Sequence, residues 1–363
     1  MKRIEQALKS LGLGFFRLFF GNEKLLAIPE ALKNPKRILV VRVDARLGNL
    51  VFCLPFLSAL RKKFPAAEVG FLVSARFADL LKNEPGIEVL TFNKKKVLNP
   101  VYFLDLMSHL QTNRFDWCFD LSSPESPSFT NSFLCALAHV PVRFSFRQRY
   151  SEAFDNLLFE RGETETLYKL FLELLEKVAP VRVETGPLLH LTGTEVMQTQ
   201  AFFAGVRNPK AGLFLGGRGV RKWETAKWLE VAEQLEKRGF SVFVFYGPDE
   251  TDERAGLESQ SEIGLVGPKP IREFAAILAG LDLFIASDTG PLHLASGLGV
   301  PVVGLYFPPD LPERYTPPGE RRALLFSEKN QLTPERVVET ALKLLGMPAQ
   351  PSTPTNLSRE AVS

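Results

Sequence analysis

The sequence predicts an α/β protein built from two doubly wound, Rossmann-like parallel-sheet domains. Apolar runs of strand length alternate with segments of helical pattern, and this alternation occurs in two separate sets. Strands that alternate with helices favour parallel sheets covered by helices. The chain of 363 residues is long enough for two such domains, each with a substantial core.

The bulk composition is that of an ordinary globular protein, with 45% hydrophobic and 23% charged residues. A net charge of +3 is too small to indicate a nucleic-acid partner. Cys53, Cys118 and Cys135 have no paired or metal-like spacing, so we expect reduced thiols and a cytoplasmic protein. No uninterrupted apolar run reaches the roughly 18 residues of a transmembrane helix.

Residues 1–36 are predicted to form an N-terminal helical segment that is amphipathic, basic and aromatic. Over residues 1–25, lysines and arginines alternate with leucines and phenylalanines. Arg17 interrupts the apolar run, which argues against a signal peptide. Two interpretations stay open: peripheral contact of residues 1–25 with an anionic membrane surface, or packing of the helix on the protein itself.

The first domain is predicted over residues 37–185. ILVVRV (38–43) has the composition of a buried parallel strand. A polar loop, a helix over 50–64 and a strand over 68–73 then complete a βαβ unit. Later segments predict strands at 117–123 and 142–146 and helices at 129–139 and 163–178.

The second domain is predicted over residues 186–346, after a linker near Gly186 and Pro187. The predicted strands span 211–217, 240–248, 263–267, 281–290 and 301–307, with helices at 224–238, at 270–280 and after 290. The tail, residues 347–363, is rich in Pro, Ser and Thr and is predicted to be disordered.

The segment SDTGPLHLA joins a predicted strand to a predicted helix in the second domain. It supplies four candidate residues for binding a nucleotide-diphosphate donor: Asp288, Thr289, Gly290 and His293. Ligands of open α/β sheets bind beyond the carboxyl ends of strands. Pro291 suits the first helical position and Thr289 or Gly290 the cap, which leaves first-turn amides free for a phosphate. Plain helix capping by Thr289, with His293 as a surface residue, remains an alternative.

The loop LGGRGVRKW (215–223) also follows a strand and precedes a helix. Its glycines would let a phosphate approach the backbone, while Arg218, Arg221 and Lys222 supply positive charge. The spacing matches neither a P-loop nor a dinucleotide-binding GxGxxG motif. A flexible basic loop is the alternative. With YGPDE (246–250) on the same rim, the three loops predict a nucleotide-diphosphate site.

Asp44 is the candidate catalytic base in the first domain, because it lies where the first strand ends. A carboxylate facing a cleft can deprotonate an acceptor hydroxyl. The alternative is a salt bridge with Arg42 or Arg46. Gly48 and Asn49 begin the helix that follows.

Motifs for metal-dependent transfer are missing from the sequence. It contains no Asp-x-Asp pair and no His, Cys or carboxylate cluster with zinc spacing. We therefore expect no metal and no cofactor, with a diphosphate leaving group neutralised by a helix dipole, amides and basic side chains.

Three segments together resemble glycosyltransferase family 9, the ADP-heptose:lipopolysaccharide heptosyltransferases. SDTGPLHLASGLGVPVVGLYFPPD (287–310) is close to the most recognisable motif of that family, and residues 38–73 and 211–235 resemble its other conserved blocks. The resemblance covers residues 37–345. It implies a GT-B fold, in which two Rossmann-like domains face each other across a cleft, and an inverting, metal-independent mechanism.

The resemblance also assigns roles to the candidate residues. The segment beginning at Asp288 would contact the donor, and Arg221 or Lys222 would bind its diphosphate. One position departs from the family pattern: Asn49 stands where the family has its proposed catalytic Asp, and an amide cannot accept a proton at neutral pH. We therefore predict that Asp44 serves as the base. Glu224 likewise replaces the Pro that usually follows the position of Trp223.

The expected partners are a nucleotide sugar, ADP-heptose by resemblance, and a lipopolysaccharide precursor built on lipid A. The protein would lie in the cytoplasm, with a possible peripheral contact to the inner membrane, and would bind no nucleic acid. A non-catalytic nucleotide-sugar or glycan-binding protein is the alternative that Asn49 motivates. An oxidoreductase is disfavoured because GxGxxG is missing.

Overall fold

A computed structural model describes residues 23–164, 166–181, 186–248, 264–309 and 312–348 of the chain. Most of the N-terminal segment predicted to contact a membrane, residues 1–22, lies outside this part, as do Asp249, Glu250 and all but the first two residues of the predicted tail. No helix in the described residues is long and apolar enough to cross a membrane.

The first sheet has six parallel strands in the order β3-β2-β1-β4-β5-β6. Its strands are β1 (Arg37–Arg42), β2 (Glu68–Ser74), β3 (Ile87–Phe92), β4 (Trp117–Asp120), β5 (Val142–Phe146) and β6 (Leu157–Phe159). The central strand β1 has Ile38 opposite Val69 on one side and Trp117 on the other. Its core positions are fully buried, as expected for a parallel strand covered on both faces.

The second sheet also has six parallel strands, in the order β12-β11-β10-β7-β8-β9. They are β7 (Lys210–Phe214), β8 (Ser241–Phe245), β9 (Gly264–Val266), β10 (Leu283–Ser287), β11 (Val302–Tyr306) and β12 (Arg322–Phe326). When the strands of each sheet are numbered one to six in chain order, both sheets have the order 3-2-1-4-5-6. Both are doubly wound, and the predicted α/β fold with two Rossmann-like sheets is confirmed.

The helices of the described residues connect these strands. They are α1 (Leu47–Val51), α2 (Leu54–Lys63), α3 (Pro100–Thr112), α4 (Phe129–Leu137), α5 (Ser151–Phe154), α6 (Leu167–Glu176), α7 (Gly193–Phe202), α8 (Thr225–Glu236), α9 (Ile271–Ala279), α10 (Gly290–Gly297) and α11 (Pro334–Leu345).

The sequence prediction of one helix over 50–64 is wrong in one respect, because the structure divides it into α1 and α2. The break falls at Phe52 and Cys53, and Pro55 lies in the first turn of α2. Proline has no N–H to donate to the carbonyl four residues earlier, so the ladder of helical hydrogen bonds cannot run through Val51.

Several predicted strands, β4 and β10 among them, extend past their observed carboxyl ends. β4 stops at Asp120, whose carboxylate accepts hydrogen bonds from the backbone N–H of Ser122 at 2.9 Å and from its hydroxyl at 2.6 Å. β10 stops at Ser287, whose carbonyl accepts from Thr289 Oγ1 at 3.0 Å. In both places a short polar side chain turns the chain out of the sheet.

Several elements escaped prediction, namely β3, β6, β12, α3, α5, α7 and α11. β3 and β6 are the two edge strands of their sheet and are only partly buried, so they lack the continuous apolar run of a central strand. The proposed boundary between residues 185 and 186 stays a prediction; residues 182–185 lie outside the described residues.

The two sheets are joined by close packing of α1 against α10. Glycines make this contact possible: a Cβ on Gly48 would lie 2.9 Å from His293 Cδ2, and one on Gly290 would lie 2.8 Å from Leu47 Cβ. On the next turns, a Cβ on Gly297 would lie 3.1 Å from Val51. The small-residue pattern of α10 therefore serves the contact between the two halves.

Candidate active site

The switch point of the second sheet lies between β7 and β10, where the strand order reverses. In a doubly wound sheet, ligands bind in the crevice beyond the carboxyl ends of these two strands. The loops that follow them are residues 215–224 and 288–290, two of the loops that the sequence predicted as a ligand site. The structure brings these two loops together.

A charged cluster of Arg221, Asp288 and His293 connects the loops. Arg221 Nη2 lies 2.9 Å from Asp288 Oδ2, and His293 Nε2 lies 2.9 Å from Asp288 Oδ1. Asp288 is 3% exposed, whereas the side chain of Arg221 is 38% exposed. The carboxylate is therefore covered by protein, and the guanidinium is the part of the cluster that faces solvent.

His293 is buried between the two halves of the protein. Its ring centroid lies 4.6 Å from that of Phe52, and Gly48 lies against its Cδ2 edge. Because Asp288 can only accept a hydrogen bond at neutral pH, Nε2 carries the proton; Nδ1 is buried and has no partner among the described residues. The structure thus differs from the surface position that the capping alternative gave His293.

Thr289 and Gly290 lie at the start of α10, as the sequence predicts, but the details differ. Thr289 is the N-cap by position, but its hydroxyl makes no capping bond and instead donates to the carbonyl of Ser287. Gly290 is the first helical residue, which moves Pro291 to the second position. Despite these two differences from the prediction, the N-terminus of α10 still lies at the switch point of the sheet.

The basic loop folds tightly after β7. Residues 219–221 form a short 3-10 turn, and a Cβ on Gly217 would lie 2.4 Å from the carbonyl oxygen of Arg221. Gly219 has φ +59, a conformation that favours glycine. Trp223 is buried edge-on against Trp228, 5.1 Å between ring centroids, and anchors the loop on α8. The glycines therefore fix the loop that carries Arg218, Arg221 and Lys222.

Asp44 lies in the loop after β1, beside the switch point of the first sheet. Its Oδ2 is 2.5 Å from Arg42 Nε, and its Oδ1 accepts from Asn49 Nδ2 at 3.1 Å. Oδ1 also accepts from the backbone N–H of Arg46, at 3.1 Å. The salt bridge with Arg42 thus exists, and yet the side chain of Asp44 keeps 33% of its surface exposed. Both interpretations of Asp44 are compatible with this geometry.

Arg42 holds this loop against the rest of the first domain. It is 6% exposed, donates to the carbonyl of Leu121, and stacks over the ring of Phe171 at 5.4 Å. Its guanidinium therefore joins the loop after β1 to the loop after β4 and leaves one edge for Asp44. Asn49 donates to Asp44 from the other side.

A buried polar network lies behind Asp44, and the sequence analysis missed it. Asn131 Oδ1 accepts from the backbone N–H of Val43 at 3.2 Å, and its amide donates to Ser122 Oγ at 3.1 Å. Ser122 and Ser132 both donate to Asp120 at 2.6 Å. Burial raises the pKa of the Asp120 carboxyl, against the lowering effect of these hydrogen bonds. The polar residues that end the predicted strand at 117–123 (WCFDLSS) were a sequence signal of this network.

Two further observations limit the site. The cavity of about 580 Å³ near Lys210, Asp282 and Pro301 lies at the amino ends of β7, β10 and β11, the opposite edge of the sheet. Across the ranges that the structure describes, no group of three His, Cys, Asp or Glu residues could hold a metal ion.

The third predicted loop, residues 246–250, is described only as far as residue 248.

The sequence model of glycosyltransferase family 9 (heptosyltransferase) matches residues 104–345, two thirds of the chain. The chain belongs to glycosyltransferase family 9. It is therefore a glycosyltransferase, which decides against the oxidoreductase and the non-catalytic binding protein.

Several curated relatives are named as heptosyltransferases. Lipopolysaccharide heptosyltransferase 1 of Pseudomonas aeruginosa is 39% identical over 291 residues, which cover 75% of this chain and 79% of the relative. Lipopolysaccharide heptosyltransferase 3 of Escherichia coli is 24% identical over 275 residues, covering 71% of this chain and 80% of the relative.

Solved structures agree with the fold. The glycosyl transferase family 9 protein of Veillonella parvula superposes with a TM-score of 0.76 at 20% identity, over 85% of this chain and 97% of that one. The E. coli heptosyltransferase WaaC with ADP gives a TM-score of 0.70 at 19% identity, over 85% of this chain and 99% of that one. The family 9 chain thus has the GT-B architecture.

Proposed function

We propose that this protein transfers a heptose, or a related sugar, from an ADP-sugar to a lipopolysaccharide core or lipid A acceptor. Transfer would invert the anomeric centre and need no metal ion. The observation that carries the proposal is the Arg221, Asp288 and His293 cluster at the switch point of the second sheet. The heptosyltransferase relatives, and a neighbour whose structure contains ADP, support it.

The donor diphosphate would bind between the basic loop and the start of α10. Arg221 faces solvent there and is oriented by Asp288 from behind. Arg218 and Lys222 lie on the same loop, and the first-turn amides of α10 add partial positive charge. These groups would neutralise the charge that develops on the departing ADP.

The acceptor would approach from the first domain, beside Asp44. The acceptor hydroxyl gives its proton to the Asp44 carboxylate, and its oxygen forms the new bond to the anomeric carbon. The bond from that carbon to the diphosphate oxygen breaks, and ADP leaves with the electron pair. Attack from the face opposite the leaving group inverts the anomeric centre. Asn49 and Arg42 would hold Asp44 in place for this step.

A cytoplasmic location at the inner membrane fits an acceptor that is a membrane glycolipid. We propose a peripheral contact through residues 1–25, whose basic and aromatic composition suits an anionic surface. We propose no cofactor beyond the nucleotide sugar.

The decisive experiment is a transfer assay with purified protein, ADP-heptose and a series of core acceptors, with the product and its anomeric configuration determined by NMR. We expect an inverted product, and the same rate in the presence of EDTA. Intact donor binding without transfer to any core acceptor would contradict the proposed reaction. Thermal shifts with ADP-, UDP- and GDP-sugars would identify the nucleotide, because a bound ligand stabilises the folded state.

A further inference from the structure

The first domain carries a surface that combines exposed apolar and basic side chains. Leu98, Val101 and Leu104 are 94%, 74% and 56% exposed. Immediately before them, Lys94–Lys96 forms a short 3-10 turn in which all three lysines are exposed. We call residues 94–104 the lysine–leucine surface. The three apolar residues follow one another at three-residue spacing, and exposed apolar side chains grouped in this way mark interaction sites.

The lysine–leucine surface is held in place by ordered contacts. Asn93 accepts from the backbone N–H of Lys95 at 3.0 Å, and Asn99 caps α3 by accepting from that of Val101 at 3.0 Å. The inner face of α3 is fixed by Leu106 and Leu110, which are buried in the core. The fold thus anchors one side of this helix and turns an apolar side outward.

The position of this surface relates it to the candidate active site. It directly follows β3, and all six strands of the first sheet are parallel. The carboxyl end of β3 therefore lies at the same edge of the sheet as the ends of β1 and β4, which lead into the loops of Asp44 and Ser122. A molecule held at this surface is on the side of the domain where an acceptor would enter.

We propose that the lysine–leucine surface docks on a bilayer that contains anionic phospholipids. The lysines would contact lipid phosphates, and the three apolar side chains would enter the headgroup and acyl boundary. Asp105 is exposed nearby and offsets one of the three positive charges. A second copy of the chain fits less well, because a symmetric contact would bring two identical lysine clusters into one interface.

This surface consists of residues other than those of the contact proposed for residues 1–25. It is also independent of the sugar-transfer proposal, because docking needs neither donor nor acceptor. Vesicle binding and transfer can therefore fail separately.

A single tryptophan introduced at Leu98 would test the proposal at the surface itself. The natural tryptophans, Trp117, Trp223 and Trp228, are each 1% exposed, so Leu98→Trp adds a reporter that differs from a buried background. With phosphatidylglycerol vesicles we expect a blue shift and quenching by brominated acyl chains. Met197→Trp, at a 70% exposed position on α7, is the matched control and should show neither.

Sedimentation with the same vesicles would measure the contribution to binding. Each lysine near an anionic surface contributes about fivefold in partitioning, so replacing Lys94, Lys95 and Lys96 with Gln should weaken binding on the order of 100-fold at low salt. The control replaces exposed Lys169, Lys237 and Lys343 with Gln and should cost much less. The difference should shrink at 0.5 M salt, because salt screens the attraction.

Three results would overturn the proposal. The reporter in the Leu98→Trp variant could stay unquenched while the protein sediments with vesicles, which would place the contact elsewhere. The full chain could fail to bind anionic vesicles at all. Finally, Leu98→Ser could abolish self-association in analytical ultracentrifugation and leave vesicle binding unchanged, which would make the surface an interface between copies.

Discussion

The carboxylate of Asp44 is the group on which the proposed chemistry depends. It is held by Arg42, Asn49 and the backbone of Arg46, and a third of its side chain is exposed. If Asp44 served only in a structural salt bridge, the contact with Arg42 would be enough. The additional hydrogen bond from the Asn49 amide fixes the direction of the carboxylate.

The first prediction concerns Asp44→Asn. This change keeps the shape and removes the proton acceptor, so we expect kcat to fall by about 10² to 10⁴ and donor affinity to be retained. Steady-state transfer and calorimetry with ADP-heptose measure the two quantities. Asn49→Ala, which removes only the orienting bond, should lower kcat by a smaller factor. Full turnover in Asp44→Asn would exclude Asp44 as the base.

The second prediction concerns Arg221, the exposed member of the charged cluster. A hydrogen bond to a charged group contributes about 1.5–3 kcal/mol, so Arg221→Met should raise the Kd for the nucleotide sugar by about 10- to 100-fold. Arg336→Met, at an exposed position on α11, is the control and should leave Kd unchanged. Equal affinities of the two variants in calorimetry would remove Arg221 from the diphosphate site.

At the scale of elements, the contact of α1 with α10 explains why small residues recur in both helices. Gly48 touches the ring of His293, and Gly290 and Gly297 touch Leu47 and Val51. A helix pair that is so close couples the loop of Asp44 to the cluster around Asp288. The Gly-Asn pair thus has two separate roles: Gly48 gives space, and Asn49 orients Asp44.

The third prediction tests this contact with Gly48→Ala. The new methyl group would lie 2.9 Å from His293 Cδ2, closer than side chains tolerate. Overpacking of this kind costs about 1–3 kcal/mol, so we expect that loss in urea unfolding, together with a lower kcat/KM. Gly193→Ala, where no atom lies within 4 Å of the new Cβ, is the control. If Gly48→Ala were as stable as Gly193→Ala, α1 and α10 could move apart without a loss of stability, and the prediction would be wrong.

At the scale of the whole molecule, Arg272 connects the two halves. It is 6% exposed and donates to the carbonyls of Leu80, in the first half, and His190, both at 2.7 Å. Its guanidinium also binds Glu195, at 2.7 Å to Oε1 and 2.5 Å to Oε2. A buried charge held by all of these contacts fixes the geometry between the sheets on the side where α9 meets residues 78–81.

The fourth prediction is a pH dependence of stability. The Arg272 guanidinium beside Glu195 lowers the pKa of this carboxyl from 4.5 to about 2. Because the folded-state pKa is the lower one, the stabilisation is complete above pH 4.5 and is lost as the pH falls towards 2. We expect a loss on the order of 2 kcal/mol between pH 5 and pH 2.

Glu195→Gln is the matched variant for this prediction. It should be less stable than the natural protein at pH 7 and should lose correspondingly less stability between pH 5 and pH 2, as followed by urea unfolding at each pH. Parallel pH profiles for the two proteins would show that the Arg272 contact does not stabilise the fold.

The sequence by itself determined the alternation of strands and helices and the placing of Asp288, Arg221 and Asp44 at strand ends. Burial of parallel strands requires continuous apolar runs, and helix starts require particular residue types, so both leave local signals. Short, partly buried strands such as β3 and β6 leave weaker signals and were missed.

Only the tertiary structure decided which of these residues meet. The salt bridge between Arg221 and Asp288, residues 67 positions apart in sequence, exists because β7 and β10 are neighbours in the sheet. The contact of Gly48 with His293 and the reach of Arg272 to Leu80 depend on how the two sheets pack. These are long-range contacts, and their energy comes from burial and charge pairing that no local stretch of sequence records.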